Sequence, residues 1–155
     1  MNQNDLTRRA FLAAATTTAA LGATAQNKPN KAKVVPGKHS PNEKLNLAAI
    51  GAGGKGLSDI MNCRREGDNV VALCDVDDDR AAEAFYRLKD AKKFKDYRNM
   101  LEQMPEIDAC TISTPDHTHA PAAYMAMKMG KHVYVQKPLT HTVAEARLLT
   151  NTARE

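Results

Sequence analysis

The stretch from Lys44 to Asp75 limits the possible fold more than any other part of the chain. It runs KLNLAAI, GAGGKG, an amphipathic segment, then NVVALCD. This reads as a short apolar strand, a glycine turn, a helix and a second strand ending on an acid. Gly51, Gly53 and Gly56 fit the pattern G-x-G-x-x-G, and Asp75 follows Gly56 by 19 residues. Alone the glycine pattern is weak; flanked by strand, helix and acid it specifies a dinucleotide-binding βαβ unit. Gly51 admits a tight turn that side chains would forbid. Gly53 lets backbone approach a pyrophosphate, and Gly56 lets the helix pack close to the strand. The free N–H groups and positive dipole end of that helix then face the phosphates. Asp75 can accept hydrogen bonds from both hydroxyls of an adenosine ribose. A 2′-phosphate would meet its carboxylate, so NAD is favoured over NADP, while Lys55 and Arg80 weaken that preference and leave NADP open. A glycine turn in an unrelated α/β protein, or the nucleotide site of a methyltransferase, would carry part of the same pattern.

The remaining sequence continues the alternation. Strands are expected at Leu45–Ile50, Val70–Cys74, Lys93–Phe94, Ala109–Ser113 and His132–Val135. Between them, apolar residues repeat at helical spacing, as in Leu57, Ile60 and Met61, or Ala81, Ala84, Phe85 and Leu88. One of Asp77, Asp78 or Asp79 caps the second helix and Asp96 the third, which carries Met100, Leu101 and Met104. Pro121 is expected in the first turn of the next helix and Gly130 just past its end. Thr142-Val143-Ala144-Glu145 reads as a capping box opening a last helix. The fold class is therefore α/β, a Rossmann-type doubly wound parallel sheet in the order 3-2-1-4-5. The Met125 and Met129 stripe is core filling rather than a ligand site.

Residues 1–25 are set apart from the fold. Thr7-Arg8-Arg9-Ala10-Phe11-Leu12 is a twin-arginine signature, followed by an Ala/Thr-rich run from Ala13 to Ala23 and an A-x-A site at Ala23-Thr24-Ala25. The run is shorter than the roughly 20 apolar residues needed to span a bilayer. An Ala-rich amphipathic helix is the competing reading; the order of the three features favours a signal for the twin-arginine export machinery and a periplasmic or extracellular location. Residues 26–43, rich in Pro and Lys, read as a solvated linker, leaving 44–155 as the folded domain. The 43% hydrophobic content suits one domain with a core. Net charge is +4 from scattered lysines, with few aromatics and no Trp, so nothing resembles a nucleic-acid stacking surface. The three cysteines, Cys63, Cys74 and Cys110, do not suit a full disulfide framework. Cys74 and Cys110 are placed at the ends of the second and fourth strands, about 9.6 Å apart at two strand spacings. A disulfide needs about 7 Å, so free, buried thiols with no metal role are expected.

Ligands of open α/β sheets sit outside the carboxyl ends of the strands. Two segments there carry polar groups: Ser113-Thr114-Pro115-Asp116-His117-Thr118-His119 and Gln136-Lys137-Pro138. Together with GAGGKG, CDVDDDR, STPDHTHAP, GKHVYVQKPL and the TVAEA helix, they resemble the N-terminal half of Gfo/Idh/MocA oxidoreductases, from about Lys44 to the last residue. The resemblance implies an NAD(P)-dependent enzyme acting on a sugar, inositol or related polyol hydroxyl. It also implies a sixth strand and an α/β substrate domain absent from these 155 residues, a second catalytic group on that domain, and a homo-oligomeric full-length protein. It places Gly51, Gly53, Lys55 and Gly56 along the pyrophosphate, Asp75 at the ribose and Arg80 near the adenine end. Thr114, Pro115 and His119 are placed toward the nicotinamide, with Gln136 beside them.

Lys137 matches the lysine of the family's E-K-P motif, which touches the substrate hydroxyl. A lysine partly desolvated beside a cationic nicotinamide can have a lowered pKa and share the hydroxyl proton. The other reading of Lys137 is a solvated loop lysine, and of His119 a cap or packing group. His117 and His119 show no third partner for a metal. Gln136 departs from the family: an amide stands where the motif has a carboxylate, and it can still hydrogen-bond. Two other functions stay in view. One is NAD-dependent glycoside cleavage by transient oxidation and elimination, which recycles its own cofactor. The other is a non-catalytic dinucleotide-binding protein.

Overall fold

A computed structural model describes residues 44–155. Five parallel strands, β1 (Asn46–Ile50), β2 (Asn69–Cys74), β3 (Lys92–Phe94), β4 (Ala109–Ile112) and β5 (His132–Val135), form one sheet in the order β3-β2-β1-β4-β5. Five helices connect or follow them: α1 (Lys55–Arg65), α2 (Asp78–Arg87), α3 (Tyr97–Gln103), α4 (Asp116–Lys128) and α5 (Val143–Thr152). The expected sheet order is the observed one.

Helices cover both faces of the sheet, which is why β1 is apolar after Asn46. Leu47 and Ala49 pack on one face with Ile60 of α1 and Ala81 and Ala84 of α2. Ala48 and Ile50 pack on the other with Met100 and Leu101 of α3, Ala122 and Ala126 of α4, and Leu149 of α5. A parallel strand buried on both sides has no solvent face to which polar residues could alternate. The chain order reverses between β1 and β4, which are paired side by side, so the crevice at their carboxyl ends is the topological switch point.

The caps resolve as side-chain contacts. Asp77 caps α2 by accepting from the Arg80 N–H, and Asp96 caps α3 by accepting from the Arg98 N–H. Thr142 and Glu145 complete the reciprocal capping box of α5. Gly130, at φ 73°, follows α4. Its N–H donates to the Met127 carbonyl and the Lys131 N–H to the Ala126 carbonyl, each at 2.9 Å, the two bonds of a Schellman motif.

Three expectations are corrected. Pro121 lies inside α4, five residues past its first residue, because the helix begins at Asp116 directly after Pro115. Its missing N–H removes the usual bond to the His117 carbonyl. Cys110 is the second residue of β4, paired with Ala48 near the entering end of the sheet, and does not end the strand. Cys63 is only half-buried, whereas Cys74 and Cys110 are buried; all three are free. Burial pushes the Cys74 and Cys110 thiols up to about 12, so both are inert at neutral pH.

Candidate functional site

At the carboxyl ends of β1, β2, β4 and β5 lies a cleft of about 840 Å³. It brings together most of the residues singled out from sequence: Gly51, Gly53, Lys55, Asp75, Arg80, Thr114, Pro115, Gln136 and Lys137 all line it. Gly56 and His119 do not line it. Among the described residues no cluster of three or more His, Cys, Asp or Glu could hold a metal ion.

The glycine turn is held by close backbone contacts. Gly51 has φ 81°, and a Cβ there would lie 2.8 Å from the Ser113 carbonyl oxygen and 2.9 Å from the Thr114 nitrogen. A Cβ on Gly56 would fall inside the Gly51 carbonyl oxygen, so α1 rests directly on the turn. At Gly53 the obstruction would be Arg80, whose carbonyl oxygen lies 2.6 Å from the added Cβ. The sequence places the start of the first helix near Gly54, and Gly54 is the α1 N-cap; its positive φ, at φ 56° and ψ −116°, is what sequence reasoning missed. A side chain there would be strained by the backbone alone. Its signal was the second glycine of the GG pair. The Arg80 guanidinium reaches over this position, toward the glycine turn.

Asp75 directly follows β2, with its carboxylate folded onto the turn. Oδ2 accepts from the Gly53 N–H at 2.9 Å and Oδ1 from the Asp77 N–H at 3.1 Å. Each oxygen keeps a second lone pair for a ligand hydroxyl.

The opposite wall is built from β4, β5 and the start of α4. The Thr114 hydroxyl is buried and has no hydrogen-bond partner among the described residues. Pro115, exposed, directly precedes α4. His119 is 1% exposed and does not line the cleft. Its Nδ1 and Nε2 lie 2.7 Å and 2.8 Å from the carbonyl oxygens of Pro138 and Thr114. The ring therefore ties the two wall loops together, a packing role. Lys137 is exposed and precedes a cis peptide bond to Pro138. The described residues do not supply the partial desolvation expected of it.

The largest feature missed from sequence is Asp59 of α1. It is 7% exposed. Its Oδ1 accepts from the Lys55 amine at 2.5 Å, and its Oδ2 accepts from the Ser113 hydroxyl at 2.8 Å and the Gln136 amide at 3.0 Å. Burial pushes the Asp59 pKa up, but the hydrogen bonds from Lys55, Gln136 and Ser113 outweigh it and hold the carboxyl below its ordinary value. The bond to Asp59 raises the Lys55 pKa. Position was the available signal: Asp59 stands three residues after Gly56, on the helix face that must meet the sheet.

Comparison with known proteins agrees with this geometry. Residues 45–155 match the GFO_IDH_MocA family, described as an oxidoreductase family with an NAD-binding Rossmann fold. The chain belongs to this family, and residues 45–155 form its NAD-binding domain. It is 35% identical over 172 aligned positions to an alpha-N-acetylgalactosaminidase of Shewanella oneidensis, covering 97% of this chain and 37% of that protein. The chain thus spans little more than a third of such a relative. An NAD binding oxidoreductase from Klebsiella pneumoniae superposes with TM-score 0.62 at 30% identity, over 72% of this chain and 32% of that one. The WlbA dehydrogenase from Bordetella pertussis, solved with NADH and UDP-GlcNAcA, shares the fold at TM-score 0.65 and 22% identity, over 71% of this chain and 33% of that one. The cleft fits a dinucleotide on its own terms: backbone that admits no Cβ, a helix N-terminus opening on the turn, and a buried Thr114 hydroxyl lacking a partner among the described residues.

Proposed function

We propose that the protein oxidises a secondary hydroxyl of a sugar, inositol or related polyol to the ketone with NAD as hydride acceptor, or reduces that ketone with NADH in the reverse direction. The single observation behind this reading is that one cleft is lined by both the glycine turn and Lys137. NAD, when bound, supplies the two-electron acceptor. The chain's own residues bind and orient it and handle one proton. The α1 N-terminus holds the pyrophosphate, with Lys55 and Arg80 as nearby cations. Asp75 takes the ribose hydroxyls, and Thr114 and Pro115 flank the nicotinamide end. The Lys137 amine takes the proton of the reacting hydroxyl and returns it in the reverse direction.

A second reading is favoured by the relative named alpha-N-acetylgalactosaminidase, which aligns over 97% of this chain. In it the same oxidation step opens a redox-neutral glycoside cleavage. The full-length protein, incubated with NAD and either myo-inositol, glucose or p-nitrophenyl α-N-acetylgalactosaminide, separates the two. Net NADH formation supports the dehydrogenase. Nitrophenol release without net NADH supports glycoside cleavage. NAD binding with neither activity, across a broader panel of polyols and glycosides, would overturn catalysis and leave a binding protein.

Thr7-Arg8-Arg9 and Ala23-Thr24-Ala25 support export by the twin-arginine route. These residues lie outside the described structure. Replacing Arg8 and Arg9 with Lys should hold the protein in the cytoplasm; unchanged export would end this reading.

A further inference from the structure

We propose that Asp59 is a positioning residue for Lys137, acting through Gln136, and that Asp59 is the reason an amide stands at position 136. The inference rests on the role proposed above for Lys137. Gln136 uses both ends of its side chain. Its Nε2 donates to Asp59 Oδ2 at 3.0 Å, and its Oε1 accepts from the Lys137 N–H at 2.9 Å. An ionised carboxylate only accepts. Asp59 therefore dictates which way the amide points: NH2 toward Asp59, oxygen toward the Lys137 backbone. A glutamate at 136 would set two carboxylates against each other, and one would have to hold a proton or swing away. The departure at position 136 is thus paired with a buried acid 77 residues earlier in the chain.

The same carboxylate receives the Lys55 amine and the Ser113 hydroxyl. One group therefore touches the glycine-loop helix, the end of β4 and the turn carrying Lys137. The charged and titratable groups around it are Lys55 and Cys63 on α1 and, next to Lys55, Tyr134 on β5.

Four full-length proteins test the pairing: wild type, Gln136→Glu, Asp59→Asn, and Asp59→Asn/Gln136→Glu. The readouts are the melting temperature across pH, the backbone amide resonance of Lys137, and NAD titration. Gln136→Glu should lose melting temperature at neutral pH relative to wild type and displace the Lys137 amide. Both differences should shrink on acidification, as one of the paired carboxylates gains a proton. The double variant should recover both at neutral pH, since the amide introduced on α1 can donate to the carboxylate introduced after β5. Asp59→Asn alone should shift the Lys137 amide, because its partner no longer dictates the Gln136 orientation.

A double variant no better than Gln136→Glu would overturn the pairing. An unmoved Lys137 amide in Asp59→Asn would overturn the positioning role, even with stability lost. If Gln136→Glu does not fold, folding of the double variant supports the pairing; failure of both counts against it. Absence of NAD binding by wild type would instead overturn the proposed function, leaving the melting and amide readouts to judge Asp59 separately.

Discussion

The glycine wall of the cleft is held by backbone that leaves no room for a side chain, whereas the wall at the ends of β4 and β5 is held by side-chain hydrogen bonds between distant residues. On the first wall, Gly51, Gly53 and Gly56 each meet backbone atoms within a few ångströms of a missing Cβ. On the second, Asp59 reaches Ser113 across 54 residues and Gln136 across 77. A steric requirement is satisfied by one residue type. A hydrogen-bond requirement is satisfied by a matched pair, and either member can change if the other follows. The first wall should therefore fail on single substitutions, and the second should show rescue.

The largest effect is expected at Gly56. Alanine there places a methyl group inside the Gly51 carbonyl, and overpacking of that severity should cost about 3 kcal/mol or more. Urea unfolding measures it, and NAD affinity should fall with it. A Gly56→Ala protein as stable as wild type would remove the contrast between the walls.

Lys137→Ala should act on chemistry rather than stability. Loss of a positioned acid–base group costs about 100-fold or more in rate. NAD binding and melting temperature should stay near wild type, because Lys137 is exposed. A rate unchanged by the substitution would return Lys137 to the solvated loop reading.

Asp59→Asn sits between the walls. Loss of charge-assisted bonds at a buried group should cost about 2 kcal/mol at neutral pH. The folded-state pKa of Asp59 is depressed, so its stabilisation is present above the unfolded carboxylate pKa of about 3.9 and is lost as pH falls through the lower folded value. Melting curves of wild type and Asp59→Asn should therefore converge on acidification. Curves that stay parallel would mean the carboxylate charge contributes nothing.

The smallest effect is expected at Gly130, where φ is 73° and, among the described residues, no atom beyond its chain neighbours lies within 4 Å of an added Cβ. Alanine should cost only the left-handed backbone penalty, about 1 kcal/mol. That value calibrates how much of any loss at Gly51 is conformational and how much is contact.

The same contrast explains what could be read from the sequence. The sheet order followed from alternating strand and helix patterns, and the glycine wall from spacing, because both are local or steric. Asp59 was hidden because an acid on a helix reads as solvated until Ser113 and Gln136 are folded against it. His119 was legible as a residue near the site, but its place between the Thr114 and Pro138 carbonyls depends on two loops meeting. Pro121 was misplaced because α4 starts at Asp116 without a side-chain cap to mark its entry.

NAD held by the glycine wall of the cleft should be detectable directly. The most direct test is to purify the full-length protein without added cofactor, denature it, and identify any released nucleotide by mass spectrometry beside a titration of the emptied protein with NAD. An NAD site at the glycine wall requires NAD, either released on denaturation or bound on titration, and weakened binding in Asp75→Ala. No released nucleotide and no binding on titration would contradict it.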